Sequence, residues 1–180
     1  RDRSVSRGLG DVYKRQVLYV CNVDEDSAAT GNAYSEAVAQ KAAAENARAV
    51  VISAAIESEV AQLENEDEQK EFLASLGLEE TGLSKVIRAG YNLLGLETYF
   101  TAGPKEVRAW TFLKGSKAPQ CAGIIHSDFE RGFIRAETIA FADFVKYGGE
   151  QACKEAGKMR SEGKDYVVQD GDVVLFRFNV

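Results

Sequence analysis

Val17-Leu18-Tyr19-Val20-Cys21-Asn22-Val23-Asp24-Glu25 is an apolar run that stops on an amide and two acids. A second apolar run, Ala49-Val50-Val51-Ile52, stops on Ser53-Ala54-Ala55. Between them, Asn32 to Asn46 is rich in Ala, Glu, Gln and Lys, which are good helix formers. Val38, Ala39, Ala42 and Ala43 give that stretch a small apolar face. Strand, helix and strand in this order predict a βαβ unit with parallel strands and a right-handed crossover.

Beyond this unit, Glu57 to Leu63 predicts a short helix. Glu66 to Leu76 predicts another, acidic where the helix dipole is positive and stopped at Gly77. Gly82 to Leu94 has the clearest helical period: Leu83, Val86, Ile87, Gly90, Tyr91 and Leu94 fall at i, i+3, i+4, i+7, i+8 and i+11. The pattern then changes. Glu106 to Leu113 alternates, with Val107, Ala109, Thr111 and Leu113 on one face and Arg108, Trp110 and Phe112 on the other. Gly115-Ser116 signals a turn. Ala118 to Ile125 predicts a short helix with Pro119 in its first turn, and Phe133 to Ala140 another strand. Phe141 to Tyr147 and Glu150 to Met159 read as helices around Gly148-Gly149. Tyr166 to Val168 reads as a short strand, and Gln169-Asp170-Gly171-Asp172 as a turn. Val173 to Val180 reads as the last strand, with Val174, Phe176, Phe178 and Val180 facing one way. A small mixed sheet with short helices across one face fits an α+β domain. The expected domains are therefore 17–95 and 96–180.

The composition is ordinary for a globular protein, 45% hydrophobic and 28% charged over 180 residues. A formal charge of −6 argues against a broad DNA-binding footprint and leaves room for a local basic patch that meets RNA. No apolar run reaches the roughly 18 residues of a membrane span. Residues 1–16 stand apart: five Lys or Arg against Asp2 and Asp11 give them +3, with no periodic apolar face. They read as a non-native or disordered leader, or as a basic arm for RNA. Cys21, Cys121 and Cys153 include no Cys-x-x-Cys pair and read as reduced, buried thiols of a cytoplasmic protein, with redox sensing as the alternative.

His126, the single histidine, reads as a structural residue in a turn; the competing role is a general base beside Asp128 and Glu130. One histidine with scattered acids makes no metal-ligand set. Arg108, Arg131 and Arg135, interleaved with Trp110 and Phe133, read equally as a basic-aromatic RNA surface and as solvated arginines around core rings. Neither Gly157-Lys158 nor Gly163-Lys164 is followed by Ser or Thr, so the Gly-x4-Gly-Lys-[Ser/Thr] phosphate cradle is absent from these residues.

Several longer strings occur in a specific order. They are Leu96 to Gly103 (LETYFTAG), Glu106 to Thr111 (EVRAWT), His126 to Glu137 (HSDFERGFIRAE), Glu162 to Tyr166 (EGKDY), and Gln169 to Val173 (QDGDV) with Phe176-Arg177-Phe178. Together they resemble the C-terminal half of the YchF family of Obg-like, P-loop GTPase-related ATPases, over Val17 to Val180. The resemblance implies that residues 17–95 are an α/β remnant of a P-loop GTPase-like nucleotide-binding domain. It implies that residues 96–180 are a TGS domain, a ubiquitin-like β-grasp module.

The resemblance also implies chemistry. GTPases read guanine with Asn-Lys-x-Asp, whose carboxylate accepts from the ring N1–H and the exocyclic amine. Here the corresponding string is Asn22-Val23-Asp24-Glu25: the basic residue is Val and the final Asp is Glu. A longer carboxylate in that place weakens guanine selection, and the resemblance implies a preference for ATP over GTP. By the same resemblance Asn22, Val23 and Glu25 lie at the base, joined by Ser53 and Ala54 of a second loop; Ser53 otherwise caps a helix. The implied whole is a ribosome-associated, redox- and stress-linked ATPase that uses ATP and Mg²⁺. These 180 residues, with no phosphate cradle and no metal ligands, are expected to be inactive alone. The alternative is a non-enzymatic β-grasp adaptor that docks on ribosomes or RNA–protein surfaces.

Overall fold

The computed structural model describes residues 16–103 and 106–179. The leader reading of residues 1–16 falls outside them, Gln16 excepted, as does Val180. The chain divides into two compact units between Leu94 and Gly95.

In the first unit, β1 (Leu18–Asn22) and β2 (Arg48–Ile52) pair in parallel, from Leu18 opposite Arg48 to Asn22 opposite Ile52. Helix α1 (Ala33–Ala44) makes the crossover. Its start is fixed by a reciprocal cap. The Asn32 side chain accepts from the N–H groups of Tyr34 and Ser35, and the Ser35 hydroxyl accepts from the Asn32 N–H at 2.8 Å. Helix α2 (Ala54–Val60) begins one residue after Ser53, and α3 (Glu66–Ser75) and α4 (Gly82–Leu94) follow. Ile56, Val60, Leu73 and Leu78 close over Ala28 as a small apolar core.

The Glu57 carboxylate of α2 caps the start of α4, accepting from the Gly82 N–H at 2.5 Å and the Leu83 N–H at 3.1 Å. Gly82 is required by close approach, since a Cβ there would lie 2.8 Å from Ile52 of β2. Helix α4 spans the predicted residues, yet its periodic stripe is not its buried side. Leu83 is 61% and Ile87 51% exposed, whereas Gly82 and Ala89 are buried.

The second unit is a five-stranded sheet in the order β4-β3-β7-β5-β6. Its strands are β3 (Leu96–Ala102), β4 (Val107–Leu113), β5 (Phe133–Ala140), β6 (Arg160–Glu162) and β7 (Asp172–Phe178). Central strands β3 and β7 are parallel, and every other pairing is antiparallel. Helices α5 (Ala118–Ile125) and α6 (Ser127–Arg131) lie between β4 and β5 in the chain; α7 (Phe141–Tyr147) and α8 (Glu150–Glu155) lie between β5 and β6.

One face of the sheet carries Tyr99, Phe112, Phe133, Ala136, Val174 and Phe176 against Ala118, Cys121 and Ala122 of α5. Tyr99 is fully buried, its ring 5.7 Å from both Phe112 and Phe176, and its hydroxyl donates to the Cys121 carbonyl at 2.9 Å. The other face is not open, as the expectation of helices on one side required. Phe100, Ile139 and Val173 meet Phe144 and Tyr147 of α7 and Cys153 of α8. The physical reason is that β3 and β7 carry apolar side chains on both faces, Tyr99, Val174 and Phe176 on one and Phe100 and Val173 on the other.

One further reading is corrected. Tyr166 to Val168 is not a strand: Val167 makes a lone bridge to Lys117. Tyr166 instead donates its hydroxyl to the buried Asp172 carboxylate at 2.6 Å. The turn at residues 169–172 clasps β3. Asp170 accepts from the Thr98 N–H at 2.8 Å, and the Gly171 N–H donates to the Thr98 carbonyl at 2.7 Å. Gly171 has φ of 83°, a left-handed value that favours glycine.

Phe176 is 6% exposed in the middle of this core. Phe176→Ala is expected to cost about 3–5 kcal/mol, a large share of the stability of a small domain. Urea denaturation followed by Trp110 fluorescence measures it; a loss below about 1 kcal/mol would show that the cavity is not created.

Candidate functional site

Parallel pairing brings the two predicted loops to the same end of the β1–β2 pair. They are joined by one side-chain contact: Asn22 Oδ1 accepts from the Ala54 N–H at 2.9 Å. The Val23 N–H donates to the Ile52 carbonyl at 2.9 Å, which extends the strand ladder into the loop. The loop then turns on Asp24, whose carboxylate accepts from the Ser27 N–H at 2.9 Å. Glu25 is exposed and makes no ion pair among the described residues.

These bonds decide what the loops can offer a ligand. The N–H groups of Val23 and Ala54 are already used, so Val23 offers its carbonyl and its apolar side chain. Ser53 makes no side-chain cap for α2. Ala55 N–H is therefore one of the orphan donors of that helix's first turn. Ser53 is 3% exposed, and its hydroxyl has no hydrogen-bond partner. The sequence did not signal these assignments. Among the described residues no group of three or more His, Cys, Asp or Glu could hold a metal ion.

The arginines of the second unit do not form one surface. Register places Arg108 opposite Thr101, on the face of Tyr99 and Trp110. Arg135 lies opposite Arg177, on the face of Phe100 and Val173. Arg108 and Arg135 therefore point to opposite sides of the sheet. The Arg108 guanidinium lies 4.1 Å from the centre of the Trp110 ring, a cation–π contact. Arg131 pairs with Asp128 on α6. Phe133 is core, and Trp110 is half-buried with its ring N–H on the Thr101 hydroxyl at 2.9 Å.

Arg135 and Arg177 both grip Glu137, each at 2.9 Å. Sequence reasoning missed Arg177, because the shared partner appears only once β5 and β7 are in register. His126 caps α6, its Nδ1 accepting from the Asp128 N–H at 3.1 Å. No disulfide links the cysteines: Cys121 and Cys153 are buried and Cys21 is half-buried. Burial pushes the Cys121 thiol up to about 12, which disfavours its reactive thiolate.

The comparisons with known proteins agree with this architecture. The family model YchF-GTPase_C, described as "Protein of unknown function (DUF933)", matches residues 96–179. The ribosome-binding ATPase YchF of Bacillus subtilis (strain 168) is 61% identical over 168 residues, 92% of this chain and 46% of that protein. The ribosome-binding ATPase YchF of Escherichia coli O157:H7 is 55% identical over 179 residues, 99% of this chain and 49% of that protein. The solved structure of the Schizosaccharomyces pombe YchF GTPase superposes with a TM-score of 0.74 at 36% identity, covering 90% of this chain and 43% of that one. The parallel β1–β2 unit and the five-stranded sheet thus define a mixed α/β protein of the kind seen in YchF GTPase structures. The chain belongs to the YchF family, and it spans about half the length of the curated relatives it matches.

The grip on Glu137 gives a pH dependence. Arg177 first, and then Arg135, holds this carboxyl below the usual glutamate range. A depressed carboxylate contributes stability above its unfolded value and loses it as pH falls through the folded one. The stability difference between wild type and Glu137→Gln is expected to be largest near neutrality and to vanish in strong acid. Denaturation across acid pH measures it; a difference independent of pH would contradict the assignment.

Proposed function

We propose that this chain carries the base-reading loops and a β-grasp adaptor of a YchF-type ATPase that binds and hydrolyses ATP in preference to GTP. The observation that carries the reading is the Asn22 Oδ1 to Ala54 N–H bond. It ties the two strand-end loops into one edge that offers the Val23 carbonyl from one loop and the Ala55 N–H from the other. An adenine edge needs an acceptor for its amine and a donor for its ring nitrogen, and these two groups supply that pattern. Guanine needs a carboxylate for its paired donors. Glu25, one methylene longer than Asp and held by no partner, does not preset that carboxylate. Residues 17–95 are the nucleotide unit in this reading, and the buried Ser53 hydroxyl lines its second loop.

ATP turnover draws on phosphate positioning and a metal ion. The 180 residues contain neither the Gly-x4-Gly-Lys-[Ser/Thr] cradle nor, among those described, a metal-ligand cluster. Turnover therefore belongs to a full-length YchF protein with Mg²⁺, and this chain alone hydrolyses no ATP. The names of the relatives support the activity and a ribosome-associated setting. In a full-length YchF protein that includes these residues, Val23→Lys with Glu25→Asp is expected to shift preference toward GTP. Competition binding of ATP against GTP reads the ratio; an unchanged ratio would remove Glu25 from the base edge.

A second reading concerns residues 96–180 as a TGS-like docking module for the ribosome. The sheet order, with parallel central strands and antiparallel flanks, supports the β-grasp assignment. The Arg108–Trp110 pair, on the edge strand with Arg108 exposed, is the candidate RNA contact. Arg108 also lies 3.9 Å from the Glu106 carboxylate, a looser contact than the carboxylates that hold Arg131 and Arg135, which are the weaker candidates. Arg108→Glu is expected to keep the fold and to reduce co-sedimentation with ribosomes. Arg135→Glu is expected to lower stability instead, by repelling Glu137. Undiminished co-sedimentation of a folded Arg108→Glu protein would end the docking role of this residue.

A further inference from the structure

A cavity of about 340 Å³ lies along the flank of β2, between that strand and α4. Its floor is apolar: Ala28 and Ala89 are buried, with Val50 and Val51 beside them. Its rim is not. Arg48, Lys85 and Arg88 line it together with a single carboxylate, Glu80.

The charges do not cancel. Glu80 is engaged by Arg88 at 2.8 Å. Arg48, exposed, and Lys85, half-buried, have no carboxylate within ion-pairing distance among the described residues. Three cations against one acid leave two uncompensated positive charges at one cavity, in a chain whose formal charge is −6. Elsewhere Lys41, Lys114 and Lys117 each face a carboxylate. The Asn92 amide adds a neutral donor to the same wall.

We propose that this cavity binds a small phosphomonoester. Its phosphoryl group, carrying about −1.5 to −2 charges near neutrality, matches the two free positive charges of Arg48 and Lys85. The guanidinium fork suits two phosphoryl oxygens at once, and the ammonium serves as a point charge. The organic part of the ligand rests on the Val50, Val51 and Ala89 floor. The site lies on the side of β2, whereas the loops that carry the proposed base edge lie at its C-terminal end, so the two readings stand or fall separately.

The test uses the 180-residue chain with phenyl phosphate, inorganic phosphate, and a short single-stranded RNA without a terminal phosphate, by isothermal titration calorimetry at low salt. Phenyl phosphate is expected to bind saturably and more tightly than inorganic phosphate, because only it reaches the apolar floor. Arg48→Gln with Lys85→Gln is expected to weaken it at least about tenfold, with the circular dichroism unchanged. If the double variant misfolds, Lys85→Gln alone is read, with a loss of about threefold or more expected. Asn22→Ala is expected to leave binding intact. No saturable binding of phenyl phosphate would overturn the proposal, as would equal affinity in the folded variants. RNA binding without phenyl phosphate binding, or loss of phenyl phosphate binding in Asn22→Ala, would overturn it as well.

Discussion

Parallel pairing of strands that are distant in sequence is the constraint on which both units depend. Two parallel strands cannot be joined by a tight turn; the chain must cross over. In the first unit the crossover is α1, and its consequence is that Asn22 and Ser53 end their strands at the same place. In the second, β3 waits for β7, with every other element of the unit lying between them in the chain. Phe100 opposite Val173 fixes that register, and Asp170 and Gly171 hold Thr98 just before it. Long-range pairing of this kind costs loop-closure entropy before it returns any contact. The buried side chains on both faces of β7 offset that cost.

The polar details follow from the same pairing. A strand end beside another strand end leaves backbone groups to be satisfied. The Ile52 carbonyl takes the Val23 N–H, and Asn22 takes the Ala54 N–H. Among the groups left over are the Val23 carbonyl and the Ala55 N–H, while the Ser53 hydroxyl is buried without a partner.

Much of this was legible in the sequence, for identifiable reasons. Helix 82–94 has an unbroken period, and the strands at 107–113 and 133–140 alternate, because each has one face that differs from the other. Strand Leu96–Ala102 escaped notice because it sits in the sheet interior, and its Thr and Glu residues blur the alternation. The three residues of β6 are too few to show a period. The candidate base residues were visible as a string, yet their roles depend on which N–H groups the fold has already used. The sequence left the arginines open between a shared basic-aromatic surface and solvated side chains around core rings, because closeness in sequence says nothing of the face on which each lands, and Arg108 and Arg135 fall on opposite faces.

The central claim is that the loops at residues 22–25 and 53–55 hold an adenine edge. The most direct measurement is amide chemical-shift mapping on a full-length YchF protein that includes these residues, titrated with ATP and separately with GTP. The account predicts that ATP shifts the amides of Val23, Ala54 and Ala55 most strongly within this chain, and that GTP at equal concentration shifts them less. Equal responses to the two nucleotides, or ATP shifts that spare these loops, would contradict it.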